Sequence, residues 1–392
     1  MANPLVTYDR YSGALKKLLL VTGLWPVVNP SVFYRLISFV NIAAELWLAF
    51  SIFNFARLHM ANFKLLIGSL GLGLGFLIST QKMISLKVHR DRLLDLQTSL
   101  QAGFSRDLED PELRPILLSP MLTYYRPSLF FAIVAYTLCA LYVTAPIRAI
   151  MIQLIHGANE IKCILPMPTA YPWSIGGTNK WFFSIVYGYE FYIFFCITCV
   201  ASSVDGLFGF YIFQIAGQLR TISYRLRTLK SNENYQEIIK ECVSRHQILM
   251  RCQAHLEQIW GPIVLSITVL NAMIMCAFIW QISHMDPRKA VTFIIFIITK
   301  AIQSLFYGWF GSTLTTENDK LREAIYAIDW PGSGHKSLMT SVLTMISCSK
   351  PIVLRACSVG TISVDMFVAV CNTAVSYYFM LRTLEDHKSL ES

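Results

Sequence analysis

The chain has 392 residues, 54% of them hydrophobic and 15% charged, with a formal net charge of +9. Soluble domains are about 45–50% apolar and about 25% charged, so a string of water-soluble domains is excluded and an all-α polytopic membrane protein is expected. No block of Lys and Arg resembles a nucleic-acid arm; the basic residues lie between apolar runs, where they report topology.

Near the N-terminus, Lys16-Lys17 precede only a short apolar patch without a small-residue cleavage site. The first long apolar run is therefore expected to target the chain. A spanning helix takes about 20 mostly apolar residues. Seven runs qualify: 33–56, 63–83, 128–151, 181–217, 259–283, 290–312 and 357–381. The fourth is long enough to project beyond a bilayer.

Between these runs the polar segments carry helical stripes. Leu86, Leu93, Leu96 and Leu100 form one. Tyr235, Ile238, Ile239, Cys242, His246, Leu249, Cys252, Leu256 and Ile259 form a second, which runs into the fifth apolar stretch and predicts one long helix, bent at Gly261-Pro262. A polar helix over 314–328 carries Leu321, Ala324, Ile325 and Ile328, and a short one after Trp330-Pro331-Gly332 carries Leu338, Val342, Met345 and Ile346. Such faces need a partner surface, which a bundle outside the bilayer or the membrane surface itself would supply. The segment 152–180, with Pro166, Pro168, Pro172 and Gly176-Gly177, reads as an irregular lid on the opposite side.

Orientation follows from the basic residues. With the N-terminus inside, the inner segments hold Lys16, Lys17, Lys82, Lys87, Arg90, Arg92, Arg220, Arg225, Arg227, Lys240, Arg245, Lys320, Arg322 and others, and the outer ones far fewer. Seven spans then put the C-terminus outside. A G-protein-coupled receptor has the opposite orientation, and its Asp/Glu-Arg-Tyr and Asn-Pro-x-x-Tyr motifs are absent after the third run and in the seventh.

Few residues carry chemistry. Cys196 and Cys199 form a CxxC inside an apolar run and read as packing residues. Gly71-Leu72-Gly73-Leu74-Gly75 lacks the Lys-Ser/Thr of a phosphate loop; its Gly71-x-x-x-Gly75 spacing offers a packing face or room for a ligand. Ionisable residues inside spans are costly, which singles out Glu45, Glu190, Lys300 and Asp365. Lys300 and Glu190 either pair or sit separately in a water-filled cavity. No nucleophile–base or metal-ligand constellation stands out, so neither an enzyme nor a cofactor is expected.

The C-terminal fifth resembles the insect odorant receptor family. The matching residues are Ala324-x-Tyr326-x-x-x-Trp330, Lys336-x-Leu338, Met345, Lys350-Pro351, Ala356, Phe367 and Ser376-Tyr377-Tyr378-Phe379-x-Leu381. The resemblance implies a subunit of a four-subunit, ligand-gated, non-selective cation channel in the plasma membrane of olfactory neuron dendrites. Its partners would be a shared coreceptor, a small volatile organic ligand and membrane lipid. The family's coreceptor has a large insertion between the fourth and fifth spans; here that loop is short, which implies an odorant-tuning subunit. The division implied is 1–312, a six-helix body with an outer odorant pocket, and 313–392, anchor helices plus a pore-lining seventh helix. Carried over from the family, the pocket would draw on Leu66, Ser69, Leu70, Gly73, Tyr142, Ala145, Phe183, Tyr187, Ile193, Met273, Phe293, Phe296 and Ile297. The pore and gate would use Ser376, Tyr377, Met380, Leu381, Leu384 and Glu385, and assembly Tyr326, Trp330, Lys350 and Pro351. A metabotropic seven-helix chemoreceptor and a secondary transporter are the competing readings; the transporter would require internal repeats, and none is evident.

Overall fold

The computed structural model describes residues 4–156, 164–173, 180–229, 235–328, 330, 336–348 and 352–391, without the side chains of 63, 64, 122, 180, 287–289, 348 and 384–391. Lys350 and Pro351, and the side chains of Leu384 and Glu385, thus lie outside the described residues. The elements are α1 (Pro4–Val21), α2 (Val32–Leu58), α3 (Phe63–Val88), α4 (Arg90–Glu109), α5 (Leu113–Leu118), α6 (Met121–Ile155), α7 (Lys180–Arg227), α8 (Tyr235–Ser283), α9 (Pro287–Tyr326), α10 (Lys336–Cys348), β1 (Arg355–Ala356), β2 (Gly360–Thr361) and α11 (Val364–Glu391). Seven helical segments among the described residues are long and apolar enough to cross a membrane: α2, α3, α5–α6, α7, α8, α9 and α11.

The three longest helices far outrun the bilayer. α7, α8 and α9 contain 48, 49 and 40 residues. At 1.5 Å per residue each spans about 60–75 Å, against a hydrocarbon layer of about 30 Å. Their polar ends are gathered with α1, α4, α5 and α10 into a second layer. Its core is the set of stripes legible in the sequence: Leu93, Leu96 and Leu100 of α4, Leu249 and Leu256 of α8, Leu321 and Ile325 of α9, and Leu338 and Val342 of α10 are all buried. Ion pairs stitch the layer together. Arg220 reaches Glu317 through two N–H donors at 2.8 and 2.6 Å. Arg245 pairs with Asp107, which also accepts from Thr221 Oγ1 at 2.7 Å.

The long α8 runs as expected through Gly261 and Pro262. Two boundaries differ from the sequence reading. The sixth span and the polar helix after it are one helix, α9, because no Gly-Pro break or cap separates Ser312 from Leu314; the 312/313 division falls inside it. The seventh apolar run begins as a hairpin instead of a helix. Cys357 and Ser358 take φ of 49° and 61°, a left-handed turn that non-glycine residues adopt rarely. β1 and β2 pair antiparallel across that turn, Ala356 opposite Gly360, and α11 starts only at Val364. An N-terminal helix that the sequence reading leaves as a patch also forms: α1 packs Tyr11 and Leu15 into the core, and Tyr11 donates to Gly206 O of α7 at 3.1 Å.

The hairpin is wedged between α8 and α9. Glu257 Oε1 accepts from Arg355 N at 2.9 Å, and Gln253 donates to Val353 O at 3.2 Å. On the other side Gly308 and Gly311 bring the α9 backbone against Ser363 and Ile362. α11 then leans on the body along one narrow face, Val370 and Ala374 against Ala272 and Met275 of α8. Val368, Val375, Tyr377, Phe379 and Met380 remain exposed.

Candidate ligand cavity and pore helix

Four helices of the bundle border a partly open cavity of about 70 Å³. α3 contributes Leu72, Gly75 and Phe76, α6 Phe131, Ala135 and Leu138, α7 Phe194, Ile197, Thr198 and Ala201, and α9 Phe296, Thr299, Lys300 and Gln303. The wall is apolar because each helix turns an aliphatic or aromatic stripe inward, and Gly75 leaves the room a side chain would take. The two threonine hydroxyls are consumed by their own helices, donating to Phe194 O and Ile295 O at 2.9 and 2.7 Å. Such a lining, apolar with one or two polar groups, suits a small organic ligand.

A charged network bounds one side. Lys82 Nζ lies 2.5 Å from Asp205 Oδ1, with both side chains almost inaccessible. Asp205 also accepts from Gln303 Nε2 and Tyr307 OH, each at 2.6 Å. Asn271 of α8 donates to Ser304 Oγ at 3.0 Å beside it. The charge-based topology reading treats Lys82 as a loop cation; it is a buried member of the bundle, because α3 extends to Val88. Asp205 is passed over by that reading, although an Asp within a long apolar run is the signal that exposes it.

Glu190 and Lys300 do not pair. Glu190 lies fifteen residues before Asp205 on α7, about 22 Å away along the axis. It is buried and accepts from Met167 N at 3.0 Å, Thr169 Oγ1 at 2.7 Å and Tyr171 OH at 3.0 Å. It thereby clasps the strap 164–173, part of the expected lid, to the bundle. Burial, and then the Glu190 carboxylate, raise the Tyr171 hydroxyl above its ordinary pKa. The strap is also tied to α2 by Ala170 N to Ser51 O at 3.0 Å and Asn54 Nδ2 to Ala170 O at 2.9 Å. Glu45 has its own partners, the hydroxyls of Ser79 and Thr80. Asp365 is exposed in the first turn of α11, where a carboxylate suits the helix dipole.

The other singled-out residues are distributed around this cavity. Phe296 lines it. Ile193 packs with Phe76 and Phe194 behind its wall, and the Tyr142 ring lies 5.3 Å from that of Phe194. Phe293 meets Phe278 of α8. Gly73 faces Phe53 of α2, and buried Ser69 donates to Leu65 O within α3; Leu66 is half-buried nearby. Phe183 and Tyr187 pack with tilted rings nearer the start of α7, Tyr187 donating to Val143 O, and Ala145 is exposed. Ile297 packs toward α11. Leu70 and Met273 line a second cavity, of about 740 Å³, between α3, α8 and α11. Tyr377, Met380 and Leu381 line it as well, while Ser376 is exposed. Tyr326 is 70% exposed, its ring 6.4 Å from that of Trp330. Cys196 and Cys199 are buried free thiols, Cys199 Sγ lying 3.4 Å from Tyr136 OH.

Seven apolar helices packed around a partly open cavity define a multi-pass membrane protein. The family model described as 7tm Odorant receptor matches residues 62–375, and the chain belongs to that family, one of receptors and not of enzymes. It is 24% identical over 250 residues to Odorant receptor 13a of Drosophila melanogaster, covering 58% of this chain and 60% of that one. The odorant receptor coreceptor of Anopheles gambiae is 22% identical over 160 residues, covering 40% and 34%. The chain thus aligns with about three-fifths of the length of the first curated relatives it matches. The insect olfactory receptor OR5 from Machilis hrabei in complex with eugenol has the same fold, with a TM-score of 0.78 at 12% identity over 97% of this chain and all of that one.

Proposed function

We propose that this chain is the odorant-binding subunit of an odorant-gated, non-selective cation channel, assembled with the family coreceptor in the plasma membrane. The observation that carries the reading is α11. It is attached along one face only, and its exposed Val368, Val375, Tyr377, Phe379 and Met380 need lipid or neighbouring subunits to cover them. A helix so placed lines a central axis when subunits assemble around it. The layer formed by α4, α10 and the polar ends of α7, α8 and α9 offers the assembly surface, with Tyr326 and Trp330 at its edge.

In this reading the N-terminus is cytosolic and α11 ends outside. Leu381 forms an apolar constriction that closes by dewetting. An odorant in the bundle opens the channel only by binding the open state more tightly than the closed one. Each tenfold difference supplies about 1.4 kcal/mol. The tuning role is supported by extent of likeness: the match covers 60% of Odorant receptor 13a but 34% of a coreceptor. Outside-out patches pulsed with odorants, without nucleotide, test the proposal. Rapid cation current only when the coreceptor is co-expressed is expected. Confirmed surface expression without current over a broad odorant panel would overturn it, as would an intracellular C-terminus.

A further inference from the structure

Lys300 is the polar group of the bundle cavity whose hydrogen-bonding capacity is left over. An ammonium has three donors. The described polar partner of Nζ is Gln303 Oε1, at 3.5 Å, the limit of a hydrogen bond, and the Phe296 ring lies 5.6 Å away. That Gln303 oxygen is already approached by Asn271 Nδ2 at 3.4 Å. Asp205, the carboxylate that attracts Lys300, is held by Lys82, Gln303 and Tyr307. No described carboxylate lies within ion-pair distance of Lys300, and Glu190 is engaged elsewhere. The cluster therefore contains two lysines and one carboxylate: Lys82 and Asp205 are buried, and half-buried Lys300 faces the cavity with donors to spare.

We propose that Lys300 selects the ligand: the cavity takes a small molecule with an apolar body and an oxygen acceptor at one end, with a carboxylate favoured over a neutral carbonyl. The acceptor meets Lys300 Nζ, and a carboxylate also balances the cluster's second cation. The apolar body lies among Phe76, Phe131, Phe194 and Phe296. A cavity of about 150 Å³ accommodates benzene, and this one measures about 70 Å³. The acceptor end and the first carbons fit as the side chains stand, and a longer body enters by turning the phenyl rings. The inference rests on the reading that odorants bind in this bundle, and adds the chemistry that they must carry.

The test is direct binding to the purified full-length chain, read as the ligand-dependent rise in Tm, with hexanoic acid, 2-hexanone and hexane as probes. The expected order is hexanoate, then 2-hexanone, then hexane, with about tenfold or more between hexanoate and hexane, as for a charge-assisted hydrogen bond. Lys300→Met brings all three to within about twofold of the hexane affinity of the unaltered chain. Lys300→Gln, which keeps a neutral donor, retains the preference for 2-hexanone over hexane and loses that of the acid. If Lys300→Met fails to fold, Lys300→Gln decides alone. An unchanged order in either variant, or equal binding of hexane and hexanoate by the unaltered chain, overturns the proposal. Currents recorded with the coreceptor separate the two readings: this order of binding without current sinks the channel assignment and leaves the role of Lys300 standing.

Discussion

Lys82 on α3 and Asp205 on α7 meet at 2.5 Å with side chains 2% and 3% exposed, so two helices are locked by a charge pair that water does not reach. Removing one partner of such a pair strands the other and costs about 3–5 kcal/mol, whereas an apolar replacement of both is often neutral. Asp205→Asn is therefore expected to lower surface expression several-fold and to reduce the Tm of the solubilised chain. Lys82→Met combined with Asp205→Leu is expected to recover most of the loss, even though Gln303 and Tyr307 then lose an acceptor. A full-strength Asp205→Asn protein would show that Lys82 reaches solvent.

That pair also marks where sequence reading stops. The seven apolar runs, the stripes of α4, α8, α9 and α10, and the long α8 are legible, because periodicity is local and burial follows it. Partnership is not local. Glu190 and Lys300 look like natural mates as two lone opposite charges in spans, yet their depths differ by many turns. Asp205 and Lys82 escape notice because one is a single acid in a long run and the other lies at a run's edge. The hairpin at 355–361 is hidden for a different reason: Val359, Thr361 and Ile362 continue the hydropathy of the following helix, and the left-handed turn at Cys357 and Ser358 has no glycine to announce it. The site is the least legible part. Its wall is made mostly of Phe, Leu, Ala and Thr, which are also ordinary packing residues, so only the space between the helices and the surplus donor of Lys300 distinguish it.

Gly311 is expected to be intolerant. An ideal Cβ there falls 2.0 Å from Ile362 O, and one on Gly308 falls 2.4 Å from Ser363 O. Backbone carbonyls cannot swing aside as a side-chain tip can, so the hairpin and the root of α11 must shift, at about 1–3 kcal/mol or more. Gly311→Ala should lose most surface expression, measured by surface biotinylation. Gly188→Ala is the control: it lies in helix with nothing within 4 Å of its new Cβ, and wild-type expression is expected. Equal expression of both would mean that the α9–hairpin contact is looser than its geometry.

Glu190→Ala should release the strap without unfolding the bundle. Three donors, Met167 N, Thr169 Oγ1 and Tyr171 OH, lose their acceptor. Hydrogen bonds to a charged group are worth about 1.5–3 kcal/mol each, so local opening should become at least about tenfold more frequent. Amide hydrogen exchange reports this residue by residue. The Met167 amide is expected to exchange much faster, and the Ala170 amide less so, because it retains Ser51 O. Equal acceleration of both would mean that Glu190 holds the whole strap, and no acceleration that the anchoring to α2 is sufficient.

Leu381 is the most direct test of how α11 works. It is half-buried, in the cavity shared with Met273 and Tyr377, one turn after the exposed Tyr377. If assembled subunits present it to a central pore, its branched side chain sets the width of a dry constriction. Truncation then widens and wets that constriction. Leu381→Ala is expected to raise the current flowing without odorant several-fold, while Leu381→Ile, of equal volume, keeps the channel closed at rest. A helix residue that only packs gives a different result: Leu381→Ala would lower expression and odorant-evoked current together, with resting current unchanged. Recording resting and evoked currents at matched surface expression separates the two. Whether the resting current rises then decides whether α11 gates conduction or merely closes the side of the bundle.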